Sequence, residues 1–203
     1  MITRRGCLCA AGTLLGARAG LAAEAPIPSL PLGIHVAGGD APVVDDAWLE
    51  DAIAEANRLL GPQSISVARA WRRPLAQPGV LETATDRDAL GKLLVPDVIN
   101  VFVVASLRDI DFPLLMRRGV RWRLRRDVHK SYLIVSAVAN DTVLCHELGH
   151  ELGLPHSFVV DNVMSYRREH KEKLTFDAAQ GRIMRRTARA LWAAKRLKTP
   201  EKA

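Results

Sequence analysis

Cysteine is scarce in this chain and poorly placed for crosslinking. There are three in 203 residues, and two of them, Cys7 and Cys9, lie among the first ten. If that N-terminal stretch is removed, only Cys145 remains, and no internal disulfide can form. Beyond the first few dozen residues there is no apolar run long enough to span a bilayer, so a stable membrane span in the mature chain is excluded. Internal repeats and low-complexity tracts are absent, which excludes solenoids, propellers and tandem arrays. No nucleic-acid recognition motif accompanies the positive charge, so nucleic acid is not expected as a partner. What remains is a chain that is 48% hydrophobic and 25% charged, the composition of one globular domain with its own core.

The first residues differ in kind. MITRRGCLCAAGTLLGARAGLAAEAP has a basic start at Arg4 and Arg5, an apolar small-residue stretch to about Ala17, and small residues after it. That layout predicts a signal peptide over 1–23, cleaved after Ala22 or Ala23, and therefore export to the periplasm or the exterior. The alternative, a membrane anchor, is disfavoured because the run is too short and Arg18 interrupts it. Arg4 and Arg5 following Thr3 resemble a twin-arginine signal. Cleavage removes three of the 29 basic residues and none of the 22 acidic ones, so the net charge falls from +7 to +4.

Residues 24–31, EAPIPSLP, read as a proline-rich lead-in. LGIHVAG (32–38) predicts a strand. Asp45 or Asp46 can cap a helix to Leu60, with Trp48, Leu49, Ala52, Ile53, Ala56, Leu59 and Leu60 on one face. SISVARAW (64–71) alternates as a half-buried strand, and a short helix is expected around 86–94. VINVFVVAS (98–106) and SYLIVSAVA (131–139) are continuous runs, as in strands covered on both faces. Between them GVRWRLRR (119–126) sets Val120, Trp122 and Leu124 against Arg121, Arg123 and Arg125, the pattern of an edge strand with one solvated face. A helix capped by Asn140 or Asp141 should run to Gly153. A last helix should begin at Thr175 and reach about Leu197, with Phe176, Ala179, Ile183, Thr187 and Leu191 facing inward. This order predicts an α+β fold, a mixed sheet with helices packed on it.

The densest chemistry is HELGHELGLPH (146–156). On a helix, His146 and His150 lie one turn apart and point the same way. Two such imidazoles can bind one zinc ion at about 2.0–2.1 Å each. Glu147 stands beside them, placed to touch a metal-bound water rather than the metal, and can act as general base and acid. A continuing helix would carry the next turn away from the ion. Gly153 can adopt a left-handed conformation and Pro155 prevents helical continuation, so His156 can turn back as third ligand.

This stretch resembles the HExxHxxGxxH signature of the metzincin zinc peptidases. A methionine-bearing turn beneath the metal also marks that clan, and DNVMSY (161–166) offers Met164 eight residues after His156. The resemblance implies a metzincin-like zincin catalytic domain over 32–198, with subdomains 32–155 and 156–198 and a tail over 199–203. It implies a twisted sheet of about five strands with an antiparallel edge strand, the zinc helix below it, a Met-turn and a C-terminal helix. His156-Ser157 and the short gap to Met164 are similar to matrixins. Tyr166 is similar to the tyrosine of astacins and serralysins, which approaches the zinc and can stabilise the oxyanion. The implied cofactor is one catalytic Zn2+. Calcium is not indicated, because no Asp/Gly-rich loops of the serralysin kind are present.

A zinc-dependent endopeptidase acting through Glu147 is the reading these residues favour. The alternatives are a zinc amidase acting on cell-wall peptides and a non-catalytic zinc-containing binding module. The segment MRRGVRWRLRRDVHK (116–130) holds six arginines. They suit acidic substrate residues or a polyanionic partner, or else they guard an edge strand against aggregation. Cys145 is expected in the core, Glu151 on an exposed helix face, and His35, His129 and His170 outside any ligand set. Met164 should pack beneath the histidines as a soft base and not ligate.

Overall fold

The computed structural model describes residues 25–76 and 79–199. The expected leader over 1–23 and the tail from 200 onward lie outside the described residues. Seven strands and four α-helices follow in the order β1 (Leu30–Ala37), α1 (Asp46–Leu60), β2 (Val67–Leu75), β3 (Val80–Leu81), α2 (Ala84–Leu90), β4 (Ile99–Val104), β5 (Ser106–Leu107), β6 (Gly119–Leu124), β7 (Asp127–Ser136), α3 (Thr142–Glu151) and α4 (Ala178–Ala193).

Five strands form one mixed sheet in the order β2-β1-β4-β7-β6, and β3 pairs with β5 in a two-stranded ribbon. The pairs β1–β2, β1–β4 and β4–β7 are parallel, whereas β6 runs antiparallel to β7. The two continuous apolar runs become adjacent inner strands because both their faces are covered. Ile99, Val101 and Val103 of β4, with Leu133 and Val135 of β7, point into the larger core shared with α1, α3 and α4. Phe102, Val104, Tyr132 and Ile134 point the other way, into a smaller core with Leu75, Leu81, Leu90 and Leu107. The period of two along each strand thus feeds two separate cores.

Several boundaries differ from the sequence reading: α3 ends at Glu151 rather than Gly153, α4 at Ala193 rather than near Leu197, and β7 spans Asp127–Ser136 rather than 131–139. β2 starts at Val67 because Ser64 closes the turn after α1 in a left-handed conformation (φ 57°). It then runs on through Pro74, which an edge strand tolerates. The last helix is capped by Asp177, not Thr175. Asp177 accepts from Gln180 N and the Gln180 side chain returns to the Asp177 N–H, a reciprocal box that satisfies two helix-end donors. Thr175 instead pairs with the chain before it, where Val163 N donates to Thr175 O at 3.0 Å. The inner face of α4 shifts with the start. Gln180, Gly181, Met184 and Ala188 are buried, and Ala179 is exposed.

The helix that carries the histidines is fixed by packing more than by its cap. Asp141 makes no side-chain cap and pairs with Lys171 at 2.7 Å instead. Leu144, Cys145 and Leu148 are buried in the larger core, where Cys145 approaches the Ala56 carbonyl of α1. Burial pushes the Cys145 thiol well up, so it stays protonated. Among the described residues no helix is long and apolar enough to cross a membrane.

Candidate metal centre

One turn of α3 separates His146 from His150, and their rings stand edge to face at 4.8 Å. The helix ends at Glu151, and Gly153 then takes a φ of +93°. That conformation lets Leu154 N bond back to Gly149 O at 2.9 Å and reverses the chain. His156 returns over the helix, its ring 4.6 Å from that of His150. One ring nitrogen from each of His146, His150 and His156 lies within 4.8 Å of the other two.

Carbonyl groups orient two of these rings. His146 Nδ1 lies 2.8 Å from Val163 O, and His150 Nδ1 lies 2.8 Å from Leu154 O. Each Nδ1 must carry the proton to donate it, which leaves the Nε2 lone pairs directed at the shared space. The Nε2 atoms of His150 and His156 are 3.1 Å apart. Two imidazoles on a tetrahedral zinc at about 2.05 Å would stand about 3.3 Å apart, so the donor set fits the ion. Burial lowers the pKa of His146 to about 4, and also lowers those of His150 and His156. Neutral imidazoles are the ligating form.

Glu147 is buried beside His146, against the start of β6; a Cβ added at Gly119 would lie 2.7 Å from its Oε1. Glycine at 119 is what leaves room for the carboxyl group. Burial raises the Glu147 pKa to about 7, against the opposing pull of the Arg121 backbone N–H and the charges of Arg117 and Arg168. Met164 is fully buried. Its sulfur packs on Gly149, where an added Cβ would collide with it. The Tyr166 hydroxyl lies 2.9 Å from His156 Nε2, on a side chain that is largely exposed.

The matrixin family model, Peptidase_M10, matches residues 62–183, a span that contains every one of these groups. The chain belongs to the matrixin family. It therefore has the fold and lineage of zinc metallopeptidases. Among solved structures, metalloproteinase-II from Bacteroides fragilis is similar at a TM-score of 0.55 and 13% identity, over 81% of this chain and 55% of that one. The matrixin chain thus spans about half the length of that relative. Archaemetzincin from Methanopyrus kandleri is similar at a TM-score of 0.51 and 19% identity, over 79% of this chain and 96% of that one. At these identities the likeness is one of fold. No curated protein sequence matches.

This matrixin also uses residues that no local pattern marks. Arg168 reaches behind the first histidine, with Nη2 2.8 Å from Val163 O and Nη1 2.6 Å from Thr142 Oγ1. Asn162 Oδ1 accepts from Met164 N at 2.9 Å, and the Asn162 amide pairs both ways with Gln180 of α4. Gln180 therefore ties the methionine turn to the helix it caps. An arginine in RREH and an asparagine in DNVM look like surface residues in one dimension; only long-range pairing separates them from their neighbours.

Glu151 is not the exposed residue its helix position suggests. Its carboxylate takes Arg121 Nε at 2.6 Å and Ser131 Oγ at 2.9 Å, joining α3 to β6 and β7. The arginine face of β6 is accordingly not simply solvated. Arg117 pairs with Asp109, Arg121 with Glu151 and Arg125 with Asp88. Arg123 lines the cleft beside His150 and His156. His35 lies buried and stacked on Phe102, His170 pairs with Asp161, and His129 is exposed at the far end of β7.

Proposed function

We propose that the chain is a zinc-dependent endopeptidase that cleaves protein or peptide substrates after export. The supporting observation is the convergence of three imidazole nitrogens within 4.8 Å beside a buried carboxyl group. A zinc ion held by His146, His150 and His156 would supply Lewis acidity toward a water and toward the scissile carbonyl. Glu147 takes the proton of the attacking water on its carboxylate and returns it to the leaving amine nitrogen. Burial, which raises the pKa of this carboxyl group, helps it hold the proton between the two transfers. The Tyr166 hydroxyl, next to His156, donates to the developing oxyanion. Met164 carries no step and supports the ligands from below. The outer edge of β6, beside Glu147, offers backbone groups to an extended peptide, as in strand addition. Export rests on the leader-like composition of residues 1–23.

The test is cleavage profiling on a broad peptide library, with metal analysis of the same sample. The expected result is bound zinc, cleavage at internal bonds and loss of cleavage on chelation. Glu147→Ala should keep the zinc while turnover falls by about 10²–10⁴-fold, the usual contribution of a general base. Full activity in that variant sinks the assignment of Glu147. Cleavage of purified peptidoglycan but of no protein or library peptide would favour an amidase instead.

A further inference from the structure

A cavity of about 550 Å³ opens beside the histidine cluster. Met116 to Gly119 form one wall, α3 another, and Ser165 to Arg168 the third. The charges in these walls do not balance. Two carboxylates line the cavity, Asp109 and Glu147. Asp109 is committed to Arg117 at 2.5 Å and to the N–H groups of Asp111 and Phe112. Glu147 belongs to the reaction. Against them stand two arginines with no carboxylate partner among the described residues, Arg118 and Arg168. The Arg118 side chain is exposed at the rim. Arg168 is half-buried, and among the described residues its guanidinium is held only by neutral acceptors: Ser165 O at 3.0 Å, Thr142 Oγ1 at 2.6 Å and Val163 O at 2.8 Å. His146 Nδ1 lies 3.3 Å from Arg168 Nη2, but that nitrogen already donates to Val163 O and cannot accept. Three of the five guanidinium N–H bonds are used and two are left.

We propose that this cavity receives an acidic side chain of the substrate, next to the scissile bond, and that Arg168 is its specificity-determining residue with Arg118 assisting at the rim. A guanidinium fixed from behind loses little further freedom when a carboxylate arrives, and the charge-assisted bonds that form are the strong kind. An apolar side chain in the same space would bury the two unfilled donors without partners, which disfavours it. A lysine would meet two like charges. Val143, Leu115 and Met116 supply apolar wall for the methylene groups of a glutamate. The inference rests on the peptidase reading for the position of the cleaved bond. The arginine fixed by neutral acceptors in the cavity wall does not depend on that reading.

The experiment uses zinc-loaded protein and four peptides that differ only at the residue flanking the cleaved bond: Glu, Gln, Leu or Lys. The Glu peptide should exceed the Gln peptide about 10–100-fold in kcat/KM, the range for hydrogen bonds to a charged group, and the Lys peptide should be worst. Arg168→Gln should bring the Glu-to-Gln ratio close to one, read as a ratio because Arg168 also bonds the carbonyl that orients His146. If that variant does not fold, Arg118→Glu, at an exposed position, should still lower the ratio several-fold. Binding of fluorescein-labelled forms to zinc-loaded Glu147→Gln protein, with and without Arg118→Glu, reads the same preference without turnover. Equal handling of the Glu and Gln peptides in both cleavage and binding overturns the proposal. A Glu preference in binding with no cleavage by the unmutated protein would uphold the pocket and remove the peptidase reading.

Discussion

At the scale of single residues the centre depends on glycines as much as on histidines. Gly119 makes room for the Glu147 carboxyl, Gly149 lets the Met164 sulfur press against α3, and Gly153 reverses the chain so that His156 meets the other two. Gly153 is where substitution is most informative. Its φ of +93° is costly for any residue with a Cβ, and an added Cβ would also stand 3.2 Å from Thr187 Oγ1 of α4. Gly153→Ala should lose about 1–2 kcal/mol in stability, the penalty for a left-handed L-residue, read by urea unfolding. Zinc affinity, measured by competition with a chromogenic chelator, should weaken in parallel because His156 is displaced. Unchanged affinity with reduced stability would show that the turn does not position the ligand.

At the scale of elements, the question is what holds α3 against the strand that borders the cleft. Apolar packing anchors its inner face through Leu144, Cys145 and Leu148. Its C-terminal end is held differently, by Glu151 with Arg121 and Ser131. The pair is largely shielded, with side-chain exposures of 19% for Arg121 and 9% for Glu151, so it is not a freely solvated surface bridge. Glu151→Ala strands a partly buried guanidinium and should cost about 1–3 kcal/mol, measured as a lower urea midpoint with an unchanged slope. Lys130→Ala on the same β7 strand, whose pair with Asp127 is exposed, should change stability by no more than about 0.5 kcal/mol. The Asn162–Gln180 pair does the corresponding work for α4 and the methionine turn. Both connections join residues that look unremarkable in sequence, and their partners lie 18 to 30 positions away. Periodicity reports which face of an element is apolar. It carries nothing about which polar residue on another element will meet it.

At the scale of the whole molecule, protons and zinc act on the same fold. His35 is buried between Trp71 and Phe102, and its Nε2 has no hydrogen-bond partner among the described residues. Burial, followed by the Arg73 charge, lowers its pKa below the ordinary 6.5. A lowered pKa in the folded state means that the unfolded chain binds the proton more readily. Stability from this residue is therefore complete above about pH 6.5 and is lost as pH falls through the folded pKa. The histidines of the centre shift in the same direction when no metal is bound. The melting temperature of zinc-free protein should fall between pH 7.5 and pH 5. His35→Phe should flatten part of that fall; an identical profile in the variant would assign the whole effect to other groups. Added zinc should stabilise the fold by about 2.7 kcal/mol at one hundred times its dissociation constant, or roughly 5–10 °C in melting temperature for a domain of this size. The shift should shrink at pH 5, where protons compete for the imidazoles.

The sequence by itself determined the elements and the ligand spacing, because both are short-range properties. Two continuous β-branched runs fit strands covered on both faces. A helix with histidines four apart, followed by glycine and proline, could only end in a turn. The α+β class and the mixed sheet were legible for that reason, whereas the count of five strands and the antiparallel edge strand came from the resemblance to the metzincins. Tertiary structure alone decided that α4 starts at Asp177, since Thr175 is drawn into pairing with the chain beside Met164. It also decided that Glu151 is tied to β6, and that Arg168 stands in the wall of a cavity with no carboxylate partner among the described residues. These outcomes depend on which side chains meet across the fold, and a polar residue shows in sequence only that it needs a partner, not where that partner will be.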